Sequence, residues 1–224
     1  MAIPFACSFE SRIEFAKKWK ALLPALFFPA IIFLVWDSVF TAMGVWGFTE
    51  KHLSGLKLFN LPIEEILFFF AIPYACLFSY EVLNYFVKKQ FSRKAIIGFS
   101  YVFLGVMVAL AISSWGRHYT FYTSAFTAVF LFMHLFWLRR PYFSRIYFSY
   151  LVILVPFFIV NGILTGTGLE EPVVWYNDSE NLGFRILTIP VEDSVYGFLL
   201  FGLNVTVLEE VRAKKGLSFA AKIS

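Results

Sequence analysis

Two pairs of neighbouring acidic residues follow prolines at the starts of apolar stretches. The first is Pro62-Ile63-Glu64-Glu65, and the second, 128 residues later, is Pro190-Val191-Glu192-Asp193. Ionisable residues are costly inside a bilayer and are usually functional there. Two adjacent carboxyl groups resist ionising together, so one can stay protonated and act as an acid. The motifs therefore predict acid–base chemistry carried by Glu64, Glu65, Glu192 and Asp193.

The same four acids also have a structural interpretation. Proline is favoured at the first position of a helix, and acids in the first turn are stabilised by the helix dipole. They could therefore simply stabilise two helix starts at the membrane interface. The duplication favours catalysis because helix stabilisation does not require it, and both interpretations stay open at this point.

A fifth carboxyl group, Asp37, lies inside the first apolar stretch. It is about nine residues, or roughly 14 Å of helix, from the outer end of that stretch. This depth predicts a catalytic position on the same side of the bilayer as the first acidic pair, although an inter-helix hydrogen bond would also explain it. Glu81 and Glu209 each follow a motif proline by 19 residues and are predicted to anchor the opposite edge.

Composition indicates an all-α integral membrane protein. Hydrophobic residues make up 59% of the chain and charged residues 15%, and 30 of the 224 residues are Phe. A transmembrane helix needs about 20 apolar residues. Six stretches qualify: Ala21–Trp46, Pro62–Val87, Lys94–Ser114, Tyr119–Leu138, Arg145–Thr165 and Thr188–Leu208.

The basic residues predict the orientation of these spans. Of the 19 Lys and Arg residues, four lie on one side of the bilayer: Lys51, Lys57, Arg117 and Arg185. The others lie on the opposite side: Arg12, Lys17, Lys18, Lys20, Lys88, Lys89, Arg93, Lys94, Arg139, Arg140, Arg145, Arg212, Lys214, Lys215 and Lys222. Cytoplasmic loops carry the excess of basic residues, so a multi-pass protein of the cell (inner) membrane with both termini cytoplasmic is predicted. The same clustering argues against nucleic acid as a partner.

The recurring spacing predicts an internal repeat. Asp37, Thr41 and Gly44 share their spacing with Asn161, Thr165 and Gly168. Both proline motifs enter the membrane from the same side, which predicts two parallel three-helix repeats over residues 1–90 and 117–224, joined by a linker helix at 91–116. The first repeat lacks a helix before residue 21, and a naturally short start and a truncated chain both remain open.

Metal and nucleotide fingerprints are missing from the sequence. Cys7 and Cys76 form no ligand motif, and the three histidines have no metal-ligand spacing. No Gly-x-Gly-x-x-Gly follows a strand. No metal and no cofactor is therefore predicted, and whether a reduced flavin takes part stays open.

Four motifs together resemble the heterodimer-type lycopene cyclases. Trp36-Asp37, Gly44-x-Trp46 and Pro62-x-Glu64-Glu65 resemble their first half, and Pro190-x-Glu192-Asp193 resembles their second. The chain looks like a fused bacterial form of the family, whose members usually have seven spans. The resemblance covers nearly the whole chain, and the proline–acid motif, present twice, is fairly specific.

The resemblance implies an isomerase of carotenoid biosynthesis that closes the acyclic ends of lycopene into β-ionone rings, giving γ- and β-carotene. Lycopene, partly cyclised carotenoids and lipid are the expected partners, with other carotenoid enzymes possible. Aromatic faces could stabilise a cationic intermediate. The expected substrate-binding residues are Trp36, Phe40, Phe68, Phe69, Asn161 and Tyr196.

Two other functions fit the same spans. A small-solute transporter can have parallel repeats and carboxylates near the middle of the membrane, but the acids here lie at helix starts and no polar pathway is evident. A carotenoid-binding protein without catalytic activity is the third hypothesis. Pigment conversion in a lycopene-accumulating host separates the cyclase from both.

Overall fold

The computed structural model describes residues 1–88 and 91–214. Six helices in this part of the chain are long and apolar enough to cross a membrane, which confirms the predicted all-α membrane fold. Lys89, Lys215 and Lys222, three of the residues used to predict orientation, lie outside the described residues. Helix limits agree with the predicted spans to within a few residues except at the end of the last helix.

A short helix precedes the six long ones. The helices are α1 Ala2–Cys7, α2 Trp19–Met43, α3 Ile63–Phe86, α4 Arg93–Ser113, α5 His118–Phe132, α6 Phe143–Leu164 and α7 Val191–Lys214. The π-helical segment Met133–Leu138 directly continues α5. Arg212 and Lys214, predicted to follow the last span, belong to the final turn of α7.

Glycine and proline set the helix limits beside the loops. Gly44 ends α2 with a φ of 70°, in the left-handed region that glycine adopts without steric cost. Pro62 precedes α3 in an extended conformation, and Pro190 precedes α7. Both acidic pairs therefore fall in the first turn of a helix, as predicted, where the helix dipole favours negative charge.

The loops between α2 and α3 and between α6 and α7 have the same local structure. Each contains one strand, a 3₁₀ turn and a two-residue hairpin that ends at the motif proline. The strands are β1 Trp46–Phe48, β2 Lys57–Leu58, β3 Leu61–Pro62, β4 Val174–Tyr176, β5 Arg185–Ile186 and β6 Ile189–Pro190. The hairpin turns also match, because Phe59 and Leu187 have φ values of 57° and 58°.

Strands β1 and β4 join the two loops as an antiparallel ribbon. Trp46 pairs with Tyr176, Gly47 with Trp175, and Phe48 with Val174. The flanking backbone bonds are reciprocal, since Thr49 N donates to Val173 O and Asn177 N donates to Val45 O, both at 2.9 Å. Replacing each residue of one backbone hydrogen bond by the residue 128 positions away gives the other bond. This reciprocity indicates a local two-fold axis through the ribbon. The arrangement of the helices as two parallel repeats remains a prediction.

Candidate active site

A cavity of about 130 Å³ lies between the two loops and the helices α2, α3, α5, α6 and α7. Its walls are mostly aromatic and aliphatic. The lining residues are Asp37, Trp46, Phe48, Glu65, Phe68, Phe69, Ile72, Pro73, Cys76, Tyr119, Tyr150, Ile153, Phe157, Asn161, Leu164, Val174, Tyr176, Asp193, Tyr196, Gly197, Leu200, Phe201 and Asn204. Three carboxyl groups therefore share one largely apolar chamber.

Asp193 is the most strongly hydrogen-bonded of the three. Its Oδ1 accepts a bond from the Tyr119 hydroxyl. Its Oδ2 accepts from Asn161 Nδ2 at 2.7 Å and from the Tyr176 hydroxyl at 2.9 Å. Burial raises the pKa of the Tyr176 phenol well above its usual range, so this hydroxyl stays protonated and able to donate. Three donors to one carboxylate stabilise its ionised form.

Asp37 has a single hydrogen-bond donor among the described residues. Trp46 Nε1 donates to Asp37 Oδ1, and the side chain of Asp37 is almost fully enclosed, with 2% of its residue surface exposed. Its Oδ2 is buried without a hydrogen-bond partner in the described part of the chain. An unpaired buried oxygen disfavours a carboxylate and is compatible with a protonated acid.

Glu65 also faces the cavity, and its carboxyl group has even fewer hydrogen-bond donors than that of Asp37 among the described residues. It lines the chamber with Asp37, and no hydrogen bond joins its side chain to any of residues 1–88 or 91–214. A carboxyl group in apolar surroundings without donors is more stable when it is neutral. The three cavity acids thus range from three donors at Asp193 to none at Glu65.

The first acid of each motif instead holds its own loop. Glu64 Oε1 accepts a bond from Ser54 N at 2.7 Å. Glu192 Oε1 accepts from Leu182 N at 2.8 Å and from Thr120 Oγ1 at 2.6 Å. Neither glutamate lines the cavity. Their placement suits the helix-start interpretation, whereas the second acids, Glu65 and Asp193, face the chamber.

The sequence profile of the lycopene cyclase family matches residues 1–83 and 116–211 of this chain. The chain belongs to the lycopene cyclase family. A bifunctional lycopene cyclase/phytoene synthase of Aspergillus oryzae is 23% identical over 110 residues. The match covers 46% of this chain and 19% of that protein, so the chain spans only a small part of the curated relative. No solved structure matches the chain.

The predicted substrate-binding residues of this lycopene cyclase family member form two layers. Phe68, Phe69, Asn161 and Tyr196 line the cavity. Trp36 and Phe40 lie behind it, because the Trp36 ring packs 5.1 Å from that of Tyr196 and Phe40 packs 5.0 Å from Trp46. The inner layer could contact a substrate directly, and the outer layer fixes the orientation of the inner one.

Sequence reasoning missed the four aromatic side chains of the cavity lining that carry an N–H or O–H donor besides Tyr196: Trp46, Tyr119, Tyr150 and Tyr176. Trp46 is buried and donates to Asp37. Its position in the Gly44-x-Trp46 motif was the available signal. The tyrosines come from α5, α6 and β4, and no local spacing connects them to the acidic motifs.

Glu81 and Glu209 lie at the far end of the bundle, as predicted, but they are buried instead of anchoring its surface. Glu81 pairs with Arg212 at 2.6 Å and with Lys18. Glu209 pairs with Arg212 at 3.2 Å and accepts a bond from the Tyr80 hydroxyl. These bonds connect the residue before α2 with α3 and α7 and are far from the cavity acids along α3 and α7. Among the described residues, no group of three or more His, Cys, Asp or Glu side chains could hold a metal ion.

Proposed function

We propose that this chain is a lycopene β-cyclase that converts acyclic ends of lycopene into β-ionone rings without net oxidation. The observation that carries the proposal is the unequal hydrogen bonding of three carboxyl groups in one aromatic cavity. Family membership supplies the reaction class, and the cavity supplies an acid, a base and walls that exclude water. Lycopene and partly cyclised carotenoids are the proposed substrates.

Glu65 is the proposed acid. The reaction begins when a proton is added to C2 of the terminal isoprene unit, which leaves a tertiary cation at C1. Such a step needs a carboxyl group that is protonated at rest, and the lack of donors around Glu65 favours that form. Asp37, with one oxygen unpartnered, shares the same chamber, and two neighbouring acids resist ionising together.

Asp193 is the proposed base. After the C5–C6 double bond attacks C1, the cation lies at C5, and loss of the C6 proton closes the ring as an alkene. The three donors to Asp193 favour a carboxylate that is ready to accept this proton. One proton enters and one leaves, so the proton must return from base to acid between turnovers, and no electron donor is needed. No cofactor is included in this proposal.

The aromatic walls have a protective role in this scheme. Tyr196, Phe68 and Phe69 line the chamber, and aromatic faces attract cations. The loops and the ribbon of β1 and β4 cover the end of the bundle and would keep water from the carbocation. We further propose that both termini are cytoplasmic and that the carotenoid reaches the cavity from surrounding lipid.

Pigment analysis tests the proposal directly. The chain is produced in a bacterial host that accumulates lycopene, and carotenoids are separated by chromatography and divided by the amount of membrane-inserted protein. We expect γ- or β-carotene to form. Unchanged lycopene despite verified membrane insertion would contradict the proposed activity, and a ring isomer other than β would contradict the role of Asp193 at C6.

A further inference from the structure

A second recess lies at the end of the helices opposite to the carboxyl cavity. It has a volume of about 220 Å³ and is formed where α4 begins, where α5 ends and where α6 begins. Its lining residues are Arg93, Ile96, Ile97, Tyr101, His134, Leu135, Arg139, Arg140, Pro141, Phe143 and Ser144. Three guanidinium-bearing residues and one histidine therefore surround one opening.

Only one of the three arginines has a carboxylate partner within the described residues. Arg140 forms two bonds with Glu210, at 2.9 and 3.0 Å. Arg93 donates to the backbone oxygen of Arg139 at 3.2 Å, and this contact leaves its charge uncompensated. Arg139, with a φ of 49° at the end of the π-helical segment, is exposed. The recess therefore carries two positive charges that no described acid balances.

The start of α4 adds to this positive potential. Its first turn contains Arg93 and Lys94 and no acid, and Ser92 makes no side-chain cap. Basic residues at a helix N-terminus are unfavourable because the dipole is already positive there. An anion at this place would compensate both the dipole and the arginines, as helix N-termini commonly do with phosphate.

His134 supplies an independent sign of a ligand. The residue is 1% exposed, and its Nε2 lies 3.0 Å from Thr206 Oγ1. Its Nδ1 is buried without a hydrogen-bond partner in the part of the chain that the structure describes. A buried polar atom without a partner is costly, and His134 lines the recess. The Thr206 hydroxyl donates to Gly202 O, so Nε2 donates to Thr206 and Nδ1 is the acceptor nitrogen of the neutral ring. A headgroup hydroxyl, or a water molecule that accompanies the ligand, would satisfy Nδ1.

Apolar side chains form the rest of the wall of the recess. Ile96, Ile97 and Leu135 line it together with Tyr101. The exposed ring of Tyr101 packs 5.9 Å from that of Phe136, which lies beside the recess. We propose that this recess binds the phosphate group of an anionic phospholipid at Arg93 and Arg139, with the acyl chains along Tyr101 and Phe136. Basic recesses between membrane helices are suited to such headgroups.

Lipid titration of the purified full chain in detergent tests the site. The melting temperature and the lipid adducts in native mass spectrometry are followed with phosphatidylglycerol, phosphatidylcholine and inorganic phosphate. We expect saturable stabilisation by phosphatidylglycerol. Each arginine near an anionic headgroup contributes about a fivefold effect on affinity, so Arg93→Gln/Arg139→Gln should weaken binding about thirtyfold and Arg139→Gln alone about fivefold.

The matched control is Arg12→Gln/Lys17→Gln, which removes the same net charge from two exposed residues at the same end of the bundle. It should bind phosphatidylglycerol like the unaltered chain. Inorganic phosphate that binds saturably and is lost in the arginine variants would keep the phosphate site and assign it to a soluble anion. Unchanged binding in folded Arg139→Gln, or equal weakening in the control, would overturn the proposal.

Discussion

The loop before α3 and the loop before α7 are built alike but give their second acids different surroundings. In both loops the residue after the motif proline donates its N–H to a backbone oxygen seven residues earlier: Ile63 to Leu56 at 3.0 Å and Val191 to Phe184 at 3.1 Å. Exposed ion pairs also recur at equivalent positions, as Lys57–Glu50 and Arg185–Asp178. Yet, within the part of the chain that the structure describes, three side chains donate to Asp193 and none donates to Glu65.

The difference comes from the side chains that surround the two acids, which differ between the two halves. Tyr119 of α5 and Asn161 of α6 reach Asp193, whereas the position equivalent to Asn161 holds Asp37, which has no N–H to donate. One repeated scaffold thus provides a carboxyl group suited to donate a proton and another suited to accept one. Two loops with the same local structure can therefore hold acids with different hydrogen bonding when a few side chains around them differ.

Of the substitutions that test the difference between the two acids, Glu65→Gln should cause the largest loss of carotenoid conversion. The amide keeps the shape of the side chain but has no transferable proton. If Glu65 is the acid, carotenoid conversion per inserted protein should fall by about two to four powers of ten. Glu64→Gln is the matched control one residue away, and comparable loss in both variants would contradict the division of roles.

Asp193→Asn should be the next most severe change. It removes the carboxylate that accepts the proton. It also places an amide N–H₂, which is a donor, against side chains that donate to Asp193 in the unaltered chain. We therefore expect conversion to fall by at least about a hundredfold. The measurement is again pigment formed per inserted protein. Preserved conversion would mean that another group, or water, takes the C6 proton.

Trp46→Phe should have a smaller effect. It retains an aromatic ring but removes the only donor to Asp37 among residues 1–88 and 91–214, so both carboxyl oxygens would lack a hydrogen bond from this part of the chain. A bond to a charged or shared-proton group contributes about 1.5–3 kcal/mol, and we expect roughly a tenfold or greater loss of activity with normal insertion. Trp175→Phe, on the exposed side of the same ribbon, should leave activity nearly unchanged, and equal losses would indicate a general effect on the loops.

Glu192→Gln and Glu64→Gln should show the smallest effects, mainly on stability. Helix-start acids that accept backbone N–H bonds contribute about 1 kcal/mol. Glu192 also accepts from Thr120 and is buried, so its replacement should lower the melting temperature more than that of Glu64. A lower melting temperature for Glu64→Gln than for Glu192→Gln would contradict this prediction. A loss of activity as large as that of Glu65→Gln in either variant would contradict the helix-start role of the first acids.

Hydropathy and charge spacing were sufficient to predict six spans and the helix starts that bear the acidic pairs. They could not tell which acid of a pair faces the cavity. Adjacent helical residues differ by about 100° in direction, so the choice between Glu64 and Glu65 depends on how α3 is rotated against its neighbours. The structure shows this rotation: Glu64 accepts a bond from the backbone N–H of Ser54 in the loop, and Glu65 faces the cavity.

The donors to the acids were harder to predict for a related reason. Tyr119 and Tyr176 are distant from Asp193 in sequence and reach it through the packing of α5 and the pairing of β4 with β1. Asn161 was named because of its spacing to the repeat, and it does contact Asp193. Periodic patterns therefore identified residues on the repeated elements and missed those brought in by tertiary contacts.

The ribbon of β1 and β4 restricts how the two ends of a carotenoid could enter the cavity in turn. Phe48 and Val174 of this ribbon line the chamber and close it toward the loops, so a rod-shaped carotenoid would have to slide in sideways between helices. Under the proposed function, only one tip fits inside while the remaining polyene stays among the lipid tails. The rod must therefore withdraw and turn round before its second tip can react, which makes the one-ringed product a released species instead of a bound intermediate.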